Sequence, residues 1–128
     1  MKFFIFFICC IFFSCTGTKM SAHKNVPPNK VIAHRGAFKN TGVPENSIAS
    51  LQAAIRLGCG GSEFDIHMTS DEVLVICHDH EFLGNPIETN TYATLQQNTL
   101  PNGEKIPTLE QYLKTGIQQN YTKLVAEI

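Results

Sequence analysis

The sequence has little of what marks several common protein classes. Its net charge is −1, from 10 Lys and Arg against 11 Asp and Glu, so no basic excess indicates a nucleic-acid partner. Internal repeats and low-complexity segments are missing as well. Beyond residue 15 only Cys59 and Cys77 occur, and their spacing matches no zinc pattern. This favours two small buried thiols, with a disulfide between them left open.

No apolar run in the sequence reaches the roughly 20 residues that span a bilayer. The longest, residues 3–13, follows Lys2 and precedes small residues, an order typical of a secretory signal peptide. Ser14 before Cys15 resembles a bacterial lipobox, which would make Cys15 a lipidated membrane anchor. The alternative is an ordinary signal peptide with an incidental cysteine. We therefore expect a signal peptide and lipobox in residues 1–15 and a linker in 16–30. The expected location is the periplasm or outer membrane of a bacterium, or otherwise the secreted fraction.

Residues 31–128 have the length of one ordinary domain and alternate between predicted strands and helices. The predicted strands are residues 31–33, 62–66, 73–77 and 123–128. A first helix is predicted from an Asn46 cap to Gly58, and a second from a Thr108 cap to Gly116 with Leu113 facing inward. Residues 84–103 are predicted to form loops with one short helix. The alternation predicts a parallel sheet covered by helices, and the last strand suggests a chain cut in mid-fold.

Two carboxylates alternate along the second predicted strand. Glu63 and Asp65 are two residues apart, so their side chains point to the same face. Two buried carboxylates are costly without a cation, and hard divalent ions such as Mg²⁺ or Ca²⁺ prefer oxygen ligands. Glu127, a lone carboxylate in the last strand, could add a third oxygen, and His67 could line the same pocket. The alternative is a solvated strand edge.

Histidines follow the first and third predicted strands. His34, Arg35 and Gly36 come directly after the first, and ligands in barrels bind at the carboxyl ends of strands. An arginine fork suits phosphate oxygens, and a histidine can move a proton near neutral pH. His78 ends the third predicted strand at the same end of the sheet, where Asp79 either orients it or begins a turn. The alternative is a loop histidine beside a surface arginine.

Seven short motifs occur in a specific order across residues 31–128. They are I-A-H-R-G (32–36), P-E-N-S (44–47), E-F-D (63–65), T-S-D (69–71), V-I-C-H-D (75–79), P-T-L-E-Q-Y-L (107–113) and A-E-I (126–128). In this order they resemble the glycerophosphodiester phosphodiesterase family. The resemblance implies an α/β fold of the TIM (β/α)8 barrel type. A full barrel takes about 250 residues, so we expect an N-terminal partial barrel of about three βα units.

The resemblance also implies a function in lipid metabolism. The family hydrolyses small-molecule glycerophosphodiesters to glycerol 3-phosphate and an alcohol with the help of a divalent cation, Mg²⁺ or Ca²⁺. It assigns roles to seven residues: His34 and His78 as the acid/base pair, Arg35 as the phosphate ligand, Glu63, Asp65 and Glu127 as cation ligands, and Glu45 as support for the His34–Arg35 loop.

The sequence departs from the family pattern at three points. Glu72 stands where the family turn often has glycine, and residues 80–84 replace a Leu-Asp-Arg-Thr-Thr-like continuation. The family's third ligand lies in a Glu-x-Lys motif, whose lysine would follow Ile128. We therefore expect a truncated chain whose own activity is in question. Two other hypotheses are an inactive exported lipoprotein fragment that binds phosphate or a partner, and a metal-dependent phospholipase-like barrel acting on lipid head groups.

Overall fold

The computed structural model describes residues 29–128. The strands are β1 (Ile32–Ala33), β2 (Gly61–Met68), β3 (Leu74–Ile76), β4 (Glu81–Phe82), β5 (Asn85–Pro86) and β6 (Lys123–Glu127). The helices are α1 (Ile48–Arg56), α2 (Tyr92–Leu95) and α3 (Leu109–Gly116). The predicted signal peptide, Cys15 and nearly all of the predicted linker lie outside the described residues. None of the helices within residues 29–128 has the length and apolarity needed to cross a membrane.

Strand β2 is the centre of the main sheet. Both β1 and β6 pair with it in parallel, β1 along its first two residues and β6 from Gly61 to Asp65. Helix α1 connects β1 to β2, and α3 precedes β6, so parallel neighbours are joined by helical crossovers. The predicted parallel sheet with covering helices is confirmed.

The direction predicted for the third strand is wrong. Strand β3 runs antiparallel to the end of β2, with Ile66 opposite Ile76 and Met68 opposite Leu74. A tight turn closes this hairpin, in which Thr69 N donates to Val73 O at 3.0 Å. Parallel pairing would need a connection of about a dozen residues or more, which the turn does not provide. The third parallel strand is β6, and the described residues form a partial barrel of three parallel strands with two crossovers.

Helices α1 and α3 cover one face of the sheet. The buried core between them consists of Leu51, Ile55, Phe64, Ile76 and Tyr112. Phe64 and Tyr112 have ring centroids 4.6 Å apart, so Phe64 faces α3, on the opposite side of β2 from Glu63 and Asp65. Leu113 was predicted to point inward but is 39% exposed, and Tyr112 takes the inward position.

Capping residues define the ends of α1 and α3. Thr108 caps α3 as predicted, with its hydroxyl accepting from Gln111 N at 3.2 Å. The predicted Asn46 cap is wrong, because Ser47 caps α1 instead. Gly58 follows α1 with a φ of 67°, as its predicted role at the helix end requires.

Between β3 and α3 the chain makes an excursion with its own small core. That core consists of Val75, Phe82, Ile87, Leu95 and Ile106. Helix α2 is the predicted short helix, whereas the β4–β5 hairpin was not predicted. The excursion packs against β3 through Val75, and its hairpin residues Phe82 and Leu83 line a cleft together with His78.

Candidate active site

Three carboxylates meet where the parallel pairing of β2 with β6 ends. Glu63 and Asp65 alternate on β2, and Glu127 lies opposite Asp65 in the register of β6. Each offers an oxygen that lies within 4.8 Å of the others. Glu63 is 9% exposed and Asp65 is 8% exposed, whereas Glu127 is open to solvent. Carboxylates this close repel one another, and oxygen ligands of this kind suit a hard divalent cation.

The two oxygens of Glu63 have different surroundings. Oε2 accepts a hydrogen bond from the backbone N of Arg35 at 2.7 Å. Oε1 is buried and has no hydrogen-bond partner among the described residues. A buried carboxylate oxygen without a donor is costly, so it fits the position of a ligand to a cation.

Asp65 is held by Asn46 at two points. Asn46 Nδ2 donates to Asp65 Oδ2 at 2.7 Å, and Asp65 N donates to Asn46 Oδ1 at 3.3 Å. Asn46 is 4% exposed and has a φ of 50°, a left-handed conformation that asparagine tolerates better than most residues. This clamp holds Oδ2 of the carboxylate and the backbone of Asp65, and it leaves Oδ1 free of either contact. Sequence reasoning missed this role, although the P-E-N-S motif contains the residue.

Arg35 lies above the buried carboxylates. Its Nη1 donates to both carboxylate oxygens of Glu45, at 3.1 and 3.3 Å. The supporting role of Glu45 stays a prediction. Its Nε lies 3.8 Å from Asp65 Oδ2 and is buried without a hydrogen-bond partner among residues 29–128. A guanidinium carries five N–H donors, so Arg35 keeps donors for an anionic ligand.

The backbone at Arg35 and Gly36 turns sharply to reach this position. Their φ angles are 54° and 76°. A Cβ at Gly36 would lie 2.6 Å from the Cβ of Ser50, so only glycine fits against α1. Gly36 N donates to Glu63 O at 3.1 Å, which ties the turn to β2.

The two predicted catalytic histidines are both exposed. His34 follows β1 directly, and His78 lies two residues beyond β3. His78 Nδ1 is 2.8 Å from Asp79 Oδ1, so of the two roles left open for Asp79 the structure shows the orienting contact. His67 Nε2 lies 3.1 Å from the backbone O of His78 and therefore supports this loop rather than the carboxylates.

Two neighbouring groups are influenced by the carboxylates. Burial, followed by the charges of Glu63 and Asp65, raises the pKa of Tyr112 to about 12. Burial also raises the pKa of Cys77 to about 11, with the charge of Asp79 adding to the effect. Both groups are neutral at pH 7. Cys77 and Cys59 are free thiols, so the disulfide left open from the sequence does not form in this structure.

A cleft of about 180 Å³ opens next to His78. One wall of the cleft is formed by Glu45, Asn46 and His78, which belong to the candidate site. The opposite wall comes from Glu81, Phe82 and Leu83, which belong to β4 and its turn. These residues lie within the segment that departs from the family pattern, so the departure shapes the cleft.

The chain is similar to known proteins of a single family. The family model for the glycerophosphoryl diester phosphodiesterase family matches residues 34–127. A glycerophosphodiester phosphodiesterase of Caldanaerobacter subterraneus is 53% identical over 49 residues, which cover 38% of this chain and 19% of that protein.

Two solved structures are similar over most of the chain. A glycerophosphodiester phosphodiesterase from Parabacteroides distasonis has 48% identity and a TM-score of 0.72, covering 79% of this chain and 43% of that one. An Oleispira antarctica phosphodiesterase, solved in complex with the product sn-glycerol-3-phosphate, has 29% identity and a TM-score of 0.65, covering 78% and 45%. The chain thus spans less than half of the length of these relatives.

Proposed function

The chain belongs to the glycerophosphoryl diester phosphodiesterase family, and we propose that it hydrolyses glycerophosphodiesters to glycerol 3-phosphate and an alcohol. The observation that carries the proposal is the arrangement of Glu63 and Asp65. Each is nearly buried, and each has one oxygen held by a protein donor, from Arg35 and Asn46 respectively. Such an arrangement presents the remaining oxygens to a ligand.

We propose that Glu63, Asp65 and Glu127 hold a divalent cation, Mg²⁺ or Ca²⁺. The fit is supported by the buried, unpaired Oε1 of Glu63 and by the approach of the three carboxylates within 4.8 Å. When bound, the cation would supply charge neutralisation for the phosphate and for the charge that develops during its transfer.

Arg35 is the proposed ligand of the substrate phosphate. Its planar fork matches phosphate oxygens, and Glu45 fixes the guanidinium from one side at 3.1 Å. Arg35 thereby orients the phosphodiester and stabilises negative charge on its oxygens without any movement at the time of reaction.

His34 and His78 are the proposed acid/base pair. One imidazole takes the proton of the attacking hydroxyl, and the other gives a proton to the leaving alkoxide. Asp79 binds Nδ1 of His78, which leaves Nε2 to face the substrate. The exposure of both rings is compatible with contact to a ligand bound at the strand ends.

The reaction as proposed belongs to lipid metabolism, and the protein as proposed is exported and anchored by lipid on Cys15. The export and the lipid anchor are inferred from the sequence of residues 1–15 alone. Incorporation of labelled palmitate into the protein and its recovery in the membrane fraction test it. Both should be lost in Cys15→Ser, and labelling that persists in that variant would contradict the anchor.

Release of glycerol 3-phosphate from glycerophosphocholine by the full chain tests the activity. We expect turnover with Mg²⁺ or Ca²⁺, loss of turnover with a chelator, and loss in His34→Ala. The matched control is His23→Ala in the linker, which should keep full turnover. A folded chain that releases no product with either cation would contradict the proposal and favour the inactive exported fragment.

A further inference from the structure

His67 is a histidine of β2 to which the proposed hydrolysis gives no role. It follows Asp65 by two residues, so both side chains lie on the same face of the strand. The ring is half-buried, and its Nε2 lies 3.1 Å from the backbone O of His78. A carbonyl oxygen only accepts hydrogen bonds, so this nitrogen carries a proton and donates it. Nε2 of His67 is therefore occupied, and it serves neither as a base nor as a ligand to a cation.

The hydrogen bond joins two segments of the candidate site. Strand β2 carries the carboxylates of Glu63 and Asp65, whereas His78 lies in the segment that follows β3. The backbone O of Asp65 accepts from the backbone N of Cys77 at 3.2 Å, one residue before His78. The side chain of His67 extends this attachment to β2 by one residue, to His78 itself.

The loop that contains His78 has little else to hold it in place on the side of solvent. Residues 77–80 lie between β3 and β4, and His78, Asp79 and His80 are all exposed. The ring of His80 lies beside that of His67, with centroids 5.0 Å apart and an interplanar angle of 67°. His67 thus contacts the loop at two points, the backbone of His78 and the ring of His80. The position of an exposed loop depends on such contacts.

We propose that His67 is a positioning residue for His78 and holds the backbone from which the acid/base imidazole projects. Asp79 orients the ring within the loop through its 2.8 Å contact with Nδ1, and His67 fixes the loop against β2. Because Asp65 and His67 belong to one strand, β2 then sets the distance between the carboxylates and His78. The inference rests on the proposed function, since His78 needs a fixed position only if it transfers a proton to or from the substrate.

Three substitutions of His67 separate the donor from the ring. In His67→Gln the amide nitrogen takes the place of Nε2 and can still donate to the backbone O of His78. In His67→Asn the amide nitrogen takes the place of Nδ1 and does not reach that oxygen. His67→Leu keeps much of the volume and has no donor. The matched comparison is therefore His67→Gln against His67→Asn, because both introduce the same amide group.

Release of glycerol 3-phosphate from glycerophosphocholine by the full chain measures the effect on turnover. We expect kcat to fall about three- to tenfold in His67→Asn and His67→Leu, the size of one hydrogen bond, while KM changes less than about twofold. His67→Gln should keep kcat within about twofold of the parent. Calorimetric titrations with Mg²⁺ and with Ca²⁺ should be the same in all four proteins. Equal kcat in His67→Gln and His67→Asn, or loss of cation binding in His67→Asn, would overturn the proposal.

NMR spectra of the imidazole nitrogens test the same contact without any need for turnover. In the parent, neutral His67 should carry its proton on Nε2 and neutral His78 on Nδ1, as their bonds to the His78 carbonyl and to Asp79 require. The contact with Asp79 lies in the exposed loop, so it should weaken when the backbone of His78 is released. We expect a mixture of both His78 tautomers in His67→Asn and the parent tautomer in His67→Gln. The parent tautomer in both variants would speak against the positioning role.

The positioning role and the hydrolysis fail in different ways. A parent chain that releases no glycerol 3-phosphate, with His78 spectra that differ between His67→Gln and His67→Asn, contradicts only the hydrolysis. Turnover by the parent, with equal kcat and equal His78 spectra in these two variants, contradicts only the positioning role.

Discussion

Replacement of Asn46 tests how the Asp65 carboxylate is held in place. Asn46→Gly removes the 2.7 Å hydrogen bond to Asp65 Oδ2 and the 3.3 Å bond from Asp65 N, and it keeps the φ of 50° without strain. A hydrogen bond to a charged group contributes about 1.5–3 kcal/mol and a neutral one about 1 kcal/mol. Asn46 and Asp65 are both nearly buried, so water cannot readily replace the hydrogen bonds that are lost. We expect Asn46→Gly to lower the free energy of unfolding by about 2–4 kcal/mol.

Two further variants separate the hydrogen bonds from the backbone conformation. In Asn46→Ala the left-handed conformation costs about 1–2 kcal/mol. Compared with glycine, alanine restricts the unfolded chain, which raises the free energy of unfolding by only about 0.4–1 kcal/mol. Asn46→Ala should therefore be no more stable than Asn46→Gly. The matched control is Asn40→Gly, an exposed asparagine with a φ of 61°, which should stay within about 0.5 kcal/mol of the parent.

Urea unfolding of the full chain at pH 7, followed by circular dichroism, measures all three variants. The midpoint should fall in both Asn46 variants while the slope with denaturant stays constant. If Asn46→Gly and Asn40→Gly unfold at the same urea concentration, the clamp on Asp65 does not contribute to stability and the reasoning is refuted.

Three further predictions concern the surroundings of the site. Gly36→Ala should unfold the protein or cost more than about 3 kcal/mol in thermal unfolding, because its Cβ would lie 2.6 Å from Ser50 Cβ. Gly42→Ala, with a similar φ of 75° and open space, should cost only about 1–2 kcal/mol, and equal losses would contradict the clash. Burial raises the pKa of Tyr112 from 10.0 to about 12, so folding favours the neutral phenol. The parent should therefore lose roughly 3 kcal/mol of unfolding free energy as the pH rises from about 10 to 12; a loss of the same size in Tyr112→Phe would contradict this. The Glu104 carboxylate accepts from the first two amides of α1 at 2.9 and 3.2 Å. Glu104→Ala should cost about 1–2 kcal/mol in urea unfolding and Glu104→Gln less, and an unchanged midpoint in Glu104→Ala would contradict the cap.

Much of the site could be predicted because strand geometry has a simple period. Alternation along β2 places Glu63 and Asp65 on one face and Phe64 on the other, and this depends on no detail of packing. The direction of β3 could not be predicted from its apolar run, since a buried strand has the same composition in either direction. The turn from Thr69 to Val73 decides it.

Positive φ angles explain two other features that were not predicted from the sequence. Asparagine is a preferred N-cap residue, and Asn46 was predicted to cap α1. Its backbone is left-handed instead, and its side chain bonds to Asp65. The β4–β5 hairpin turns through Leu83 and Gly84, with φ of 49° and 82°, as a type I′ turn requires. Leucine is not a usual residue at the first of these positions, so the sequence carries no strong hairpin signal there.

The central claim is that the carboxylates of Glu63, Asp65 and Glu127 form a site for a divalent cation. Calorimetric titration of the full chain with Mg²⁺ and with Ca²⁺ at pH 7 tests it most directly. The account predicts one saturable site per chain for at least one of the two ions, lost in Glu63→Gln and in Asp65→Asn and kept in Glu88→Gln. Titrations without saturable binding of either ion, or binding that persists in Glu63→Gln, would contradict it.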